Sequence, residues 1–145
     1  MRAFAGGSRV LRWIIAAAAL AMPLHAAEVT VVGYNVQNYL LMDRQVDGQK
    51  VKDAPKPENE VTALIHVITQ LKPDILGLCE LGGSAQLADL QNRLKQAGLD
   101  LPHAEWIQGA DTDRHVVLLS RFPIVARNSV SDIPLTLNGQ AAGMQ

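Results

Sequence analysis

Two short runs constrain this chain most: residues 74–79 (DILGLC) and 115–120 (HVVLLS). A strand with one wet face alternates apolar and polar residues, whereas a strand covered on both faces reads as a continuous apolar run. DILGLC is of the second kind, and HVVLLS is a clear strand broken by Phe122-Pro123. Residues 28–34 (EVTVVGY) are short and β-branched and read as a further strand, with weaker ones at 103–108 and 124–130. Between the strands the period changes. Val61, Leu64, Ile65, Ile68 and Leu71 fall at helical spacing, with Pro57 near the start and Pro73 just past the end. Ser84 is placed to cap a second helix, whose Leu87, Leu90 and Leu94 make one stripe before Gly98 stops it. Residues 35–57, with Asp43, Asp47, Gly48, Asp53 and Pro55, read as a long polar loop, and such loops in compact domains are often functional.

The expected order is therefore β-α-β-α-β-β-β, an α/β (α+β) domain with no repeat, low-complexity tract or interdomain linker. The two helices can cover one face of a sheet. The continuous runs ask for cover on the other face too, so that face meets another sheet or something absent from the chain. The end at Gly143-Met144-Gln145 has no stop chemistry and follows a strand directly. The expectation is a truncated chain whose missing portion supplies the second layer.

Residues 1–27 read as a secretory signal peptide. Arg2, Arg9 and Arg12 form a positive leader with no acidic residue, and residues 13–24 are a run of 12 apolar residues if Pro23 is included. Small residues, Ala26 and Ala27, follow where a peptidase can cut. A bilayer span needs about 20 apolar residues. An uncleaved anchor would thus be short, and a transit peptide would be amphipathic where this run is apolar all round. The chain is expected to be exported, periplasmic or extracellular, with no stable membrane span once the signal is gone. Of 13 basic residues three leave with the signal while all 14 acidic ones stay, so residues 28–145 carry 10 − 14 = −4.

That charge excludes a polybasic nucleic-acid binder as the simplest reading. Aromatics at 4% give no base-stacking platform. A single cysteine, Cys79, excludes a disulfide framework and a thiolate zinc cluster; in its apolar run it reads as a buried structural thiol. An acidic chain handling phosphates would need a metal ion or local arginines to offset repulsion.

Two polar residues stand at the carboxyl ends of the two best strands: Asn35 after VTVVGY and Glu80 after DILGLC. If these strands are neighbours, both side chains emerge at one sheet edge, the edge where open α/β sheets bind ligands. A carboxylate beside an uncharged hydrogen-bonding partner suits a hard cation such as Mg²⁺ (or Mn²⁺ or Ca²⁺). Gly82 and Gly83 would let backbone and substrate approach closely. The plainer reading of Glu80 is a strand end facing solvent.

The stretch VTVVGYNVQNYL resembles the first motif of the endonuclease/exonuclease/phosphatase superfamily, the fold of pancreatic deoxyribonuclease. KPDILGLCELGG is similar to its second motif, an apolar strand ending in the metal-binding glutamate, and DRHVVLLSRFPIV to the strand-and-arginine segment that follows. The three stand in the family's order and, with the helix between the first two, cover most of residues 29–126. The resemblance implies that residues 28–145 are the N-terminal half of a four-layer α/β/β/α sandwich, with a mixed, mostly antiparallel sheet and helices on one face. It implies an exported hydrolase of phosphoric esters (a nuclease, phosphodiesterase or phosphatase) acting on nucleic acid, a phospholipid or a small phosphodiester. Glu80 would be the metal ligand and Asn35 would hold the site together near the scissile phosphate, these two being the catalytic residues. Two positions beyond that asparagine the family often has an acid near the metal; here Gln37 is neutral, and one negative charge is lost. Cys79 replaces a frequent glutamine. Arg114 lies where the family often has a polar residue facing the phosphate, and a guanidinium can grip two phosphate oxygens; a solvated loop arginine is the plainer reading. The family's later motifs, with an Asp/Asn pair, a histidine and a final Asp-His pair, have no counterpart after Val125. The chain by itself is therefore expected to be inactive, holding the metal ligand but not the catalytic base.

The histidines fit less well. His25 belongs to the signal, His66 reads as a half-buried helix residue, and His103 and His115 open strands. With Cys79 their separations match no zinc motif with paired short spacing. The competing class is a small exported α/β binding or interaction domain without catalysis, in which Glu80 is ordinary.

Overall fold

The computed structural model describes residues 27–109, 111–130 and 133–144. The signal reading of residues 1–27 falls, but for Ala27, outside the described residues. The elements are β1 (Val31–Tyr39), β2 (Met42–Val46), β3 (Gln49–Ala54), α1 (Glu58–Leu71), β4 (Ile75–Leu81), α2 (Ser84–Gln96), β5 (His103–Ile107), β6 (His115–Ser120), β7 (Ile133–Leu137) and β8 (Gln140–Met144). A four-stranded mixed sheet runs β1-β4-β6-β5; β1 and β4 are parallel, and the β4–β6 and β6–β5 pairs antiparallel. The chain is thus a mixed α/β fold.

Each helix follows from its stripe and its ends. In α1, Val61, Leu64 and Ile68 are buried, and Glu58 and Glu60 in the first turn oppose the positive end of the helix dipole. Lys72 takes the left-handed conformation (φ 48°) and Pro73 cannot continue the helix. In α2, Leu90 and Leu94 are buried, with Arg93 and Lys95 in the last turn. Gly98 (φ +89°) closes it: its N–H donates to the Lys95 carbonyl (3.0 Å), and the Leu99 N–H donates to the Leu94 carbonyl (2.9 Å). This is the Schellman arrangement, in which a left-handed glycine satisfies the orphaned carbonyls. The N-cap of α2 is Gly83, and Ser84 is the first helical residue, making no side-chain capping bond. Here the sequence expectation was one residue off.

Both helices pack on one face of the sheet. Their Val61, Leu64, Ile68, Leu90 and Leu94 share a core with Leu76, Leu78, Val117 and Leu119, which alternate along β4 and β6. On the other face Val31, Val116 and Leu118 are 67%, 57% and 38% exposed. The described residues leave them partly or largely open, although the strand runs ask for cover there. At the amino end of β4 a buried carboxylate ties the sheet together. Asp74 accepts from the Thr30 N–H (2.9 Å) and pairs with Arg121 (2.5 Å), while its backbone carbonyl accepts from the Arg121 N–H (2.9 Å).

Two segments depart from the sequence expectation. Residues 35–57 are no simple loop: β1 continues to Tyr39, and β2 and β3 form an antiparallel hairpin. Its turn is Asp47-Gly48, both at positive φ (52° and 79°), the type I′ geometry that matches strand twist. Polarity concealed this hairpin, because its strands read MDRQV and QKVKDA, with one buried residue, Ala54. Residues 124–130 form no strand, whereas β7 and β8 form a separate two-stranded hairpin around Asn138-Gly139 (φ 52° and 79°).

Candidate functional site

The parallel pairing of β1 with β4 sets Asn35 opposite Cys79, where the regular part of the ladder stops. Asn35 is mid-strand rather than at the strand end the sequence suggests, because β1 runs on past a bulge to Tyr39. Just beyond, the ladder breaks on each strand. From Asn35 to Tyr39 β1 advances four residues while β4 advances two, from Cys79 to Leu81. From Leu78 to Leu81 β4 advances three while β6 advances two, from Val117 to His115. Such bulges re-aim side chains and are common beside active sites. The extra residues adopt left-handed backbone without being glycine: Gln37 (φ 50°), Asn38 (φ 59°) and Glu80 (φ 64°). Left-handed backbone costs an ordinary L-residue about 1–2 kcal/mol, less for asparagine, so local hydrogen bonds must hold it.

Those bonds define the site. Asn35 Nδ2 donates to Glu80 Oε1 at 2.7 Å, and the Asn38 N–H donates to Glu80 Oε2 at 3.2 Å. The Gln37 N–H donates to Asn35 Oδ1 at 2.7 Å, which orients the amide so that its nitrogen faces the carboxylate. Glu80 is half-buried and Asn35 exposed, so the carboxylate is less enclosed than its apolar run suggests. Each carboxylate oxygen accepts one protein hydrogen bond here and retains acceptor capacity.

Arg114 reaches the same loop from the segment before β6. Its Nε donates to Asn38 Oδ1 at 2.7 Å, and its NH1 pairs with Asp111 at 3.4 Å. Asp111 in turn accepts from the backbone N–H groups of Asp113 (2.9 Å) and Arg114 (3.0 Å). These N–H groups, Asp113 first, hold its carboxyl below the ordinary carboxylate range. Arg114 is therefore a fixed cation joined to the site through Asn38. The Gln37 side chain is exposed and makes no hydrogen bond among the described residues; only its backbone contributes.

Sequence reasoning missed Asn38, Asp111, Arg44 and Lys56. For Asn38 a signal existed: asparagine is the non-glycine residue most tolerant of left-handed backbone, and it follows Asn35 by three positions in NVQN. Gly82 also has a different role from that expected. A Cβ there would lie 2.9 Å from Leu40 Cβ and 3.0 Å from Gln86 Cγ, so it permits the chain's own close packing rather than approach of substrate.

Among the described residues no three His, Cys, Asp or Glu side chains converge on a common point. The donor set is one carboxylate with polar neighbours. It suits a cation that keeps most of its waters, such as Mg²⁺ or Mn²⁺, better than Ca²⁺ with its roughly six to eight oxygen ligands. No helix among the described residues is long and apolar enough to cross a membrane. No family model, curated protein or solved structure matches the chain.

Proposed function

We propose that this chain carries the metal- and phosphate-binding part of an exported metal-dependent hydrolase of phosphoric esters, of the endonuclease/exonuclease/phosphatase kind. The observation that carries the reading is the 2.7 Å bond from Asn35 Nδ2 to Glu80 Oε1, set where the β1–β4 and β4–β6 ladders are both broken by bulges. Structural carboxylates also end strands, but three left-handed non-glycine residues gathered around one are costly unless the arrangement is used. In this reading Glu80 holds Mg²⁺, and Asn35 fixes the carboxylate's rotamer while the Asn38 N–H fixes its other oxygen. When bound, the ion neutralises phosphate charge and stabilises a leaving oxygen. Arg114, held by Asn38 and Asp111, presents its guanidinium to phosphate oxygens. The fold is read as the first half of a four-layer α/β/β/α sandwich, with the exposed Val31, Val116 and Leu118 face meeting a second sheet. Residues 28–145 supply the metal ligand and phosphate contacts without the catalytic base, so the chain alone is expected to bind metal and not to turn over. Substrate choice among nucleic acid, phospholipid and small phosphodiesters is left to loops outside this site.

The test is Mn²⁺ binding followed by paramagnetic broadening of backbone amides. Broadening should centre on Asn38 and Leu81 and vanish in Glu80→Gln, while Mg²⁺ competes it away. Uniform weak broadening, unchanged in Glu80→Gln, would leave the non-catalytic interaction domain as the better account. That alternative draws on the exposed apolar sheet face. Mg²⁺-dependent phosphodiester cleavage by the chain itself would overturn the assignment of the base elsewhere.

A further inference from the structure

The left-handed turn at Gln37-Asn38 turns two carbonyls out of the β1–β4 ladder. A backbone carbonyl taken out of a ladder needs another donor. Each of these two receives a cation. Lys56 Nζ donates to the Gln37 carbonyl at 3.0 Å, and Arg44 NH2 donates to the Asn38 carbonyl at 2.7 Å. Neither side chain is a loose surface group. The Lys56 side chain is 6% exposed and also pairs with Glu60 at 2.7 Å, holding that carboxyl below its ordinary range. Arg44 additionally donates to the Leu40 carbonyl (3.3 Å) and, through Nε, to the Ala54 carbonyl (3.3 Å). A buried ammonium and a guanidinium spanning three carbonyls are costly unless the geometry they hold matters.

We infer that Arg44 on β2 and Lys56, two residues past the end of β3, are positioning residues. They clamp the Gln37-Asn38 turn that delivers the Gln37 N–H to Asn35 and the Asn38 N–H to Glu80. The two cations thereby act on the site without touching the metal or the substrate. Ionic hydrogen bonds to carbonyls are roughly twice as strong as neutral ones, which suits a turn that must be held against its own backbone preference. The consequence for metal affinity rests on the proposed reading of Glu80; the consequence for backbone geometry does not.

The experiment uses the whole chain, with Mn²⁺ as probe, and compares wild type with Arg44→Gln, Lys56→Gln and the conservative Lys56→Arg. Two quantities are read. In the metal-free chain, NMR reports the short intraresidue HN–Hα distance of left-handed backbone at Gln37 and Asn38. On titration, broadening of the Asn38 and Leu81 amides gives the Mn²⁺ midpoint. The clamp predicts that both Gln variants lose the left-handed signature while helix and β4–β6 resonances stay in place, and that their midpoints rise about tenfold or more, the usual loss when an outer partner of a ligand is removed. Lys56→Arg should restore both. Variants that keep the signature and a midpoint within about twofold of wild type overturn the inference. A wild-type chain that binds no Mn²⁺ sinks the metal reading, and the metal-free signature then decides the clamp by itself. Should Lys56→Gln fail to fold, Arg44→Lys carries the same comparison, since one ammonium cannot bridge the carbonyls that the guanidinium does.

Discussion

Glu80 shows how one residue's chemistry depends on neighbours that its own segment does not name. Its strand places it, a bulge turns it, and an amide from β1 and a backbone N–H from the turn beyond hold its two oxygens. Asp111 plays a comparable role for Arg114. Its depressed pKa means that its contribution is present above the ordinary carboxylate range and is lost as pH falls through the folded value. The Asp113 and Arg114 amide resonances should therefore hold steady through mild acid and move together only below the range where an unperturbed aspartate titrates. Movement already within that range would show that the 111–114 turn does not grip the carboxylate. Asn35→Ala should leave Glu80 without its 2.7 Å partner and weaken Mn²⁺ binding by about 10–100-fold, read from the same amide broadening. Asn35→Asp, setting two carboxylates side by side, should instead tighten the metal at neutral pH and raise the pH needed to keep both ionised.

At the scale of elements, a glycine and a tyrosine join the site's strands to the helices. Gly82 leads from β4 to α2, and its N–H donates to the Tyr39 carbonyl at 2.9 Å. Gly82→Ala must push a Cβ to 2.9 Å from Leu40 Cβ and should cost about 1–3 kcal/mol. Gly83→Ala meets its nearest atom only at 3.9 Å and should cost far less; urea midpoints of the two variants compare them directly. Tyr39, buried on β1, donates to Asp89 on α2 at 2.5 Å, and Arg93 links Asp89 to Glu58 on α1. Burial first, and Asp89 second, push the Tyr39 phenol well above its ordinary pKa. A raised phenol pKa stabilises the fold fully below the ordinary tyrosine value and loses that stability as pH climbs past about 10. Stability of the wild type should fall on that alkaline limb, and Tyr39→Phe should flatten it. Asp47-Gly48 and Asn138-Gly139 are two-residue turn signals that the reading of residues 35–57 as a loop, and of 124–130 as the last strand, passed over. The alternating apolar residues that usually accompany such a signal are sparse in the strands around Asp47-Gly48.

At the scale of the molecule, the sheet is covered by helices on one side and open on the other among the described residues. Neighbouring residues of β6 test the asymmetry. Leu119 is fully buried, and Leu119→Ala should cost about 2–5 kcal/mol. Leu118, one position earlier and 38% exposed on the other face, should cost clearly less when truncated. Equal losses in denaturant unfolding would mean that the open face is covered in solution. Such a result would favour a packed second layer over a free surface.

Local pattern determined the two helices, their closing turns and the apolar strands β4 and β6, because helical spacing, a proline stop and a closing glycine act within a few residues. It also placed Glu80 near the end of β4, but not Asn35, which lies mid-strand because β1 continues to Tyr39. What only the tertiary structure decided is that β1 and β4 are parallel neighbours, that both ladders slip at the same edge, and that Asn38, Arg114, Arg44 and Lys56 converge on it. Strand register and side-chain hydrogen bonds join residues up to 76 positions apart. No short-range periodicity encodes such pairings; they follow from which surfaces the chain can bury together.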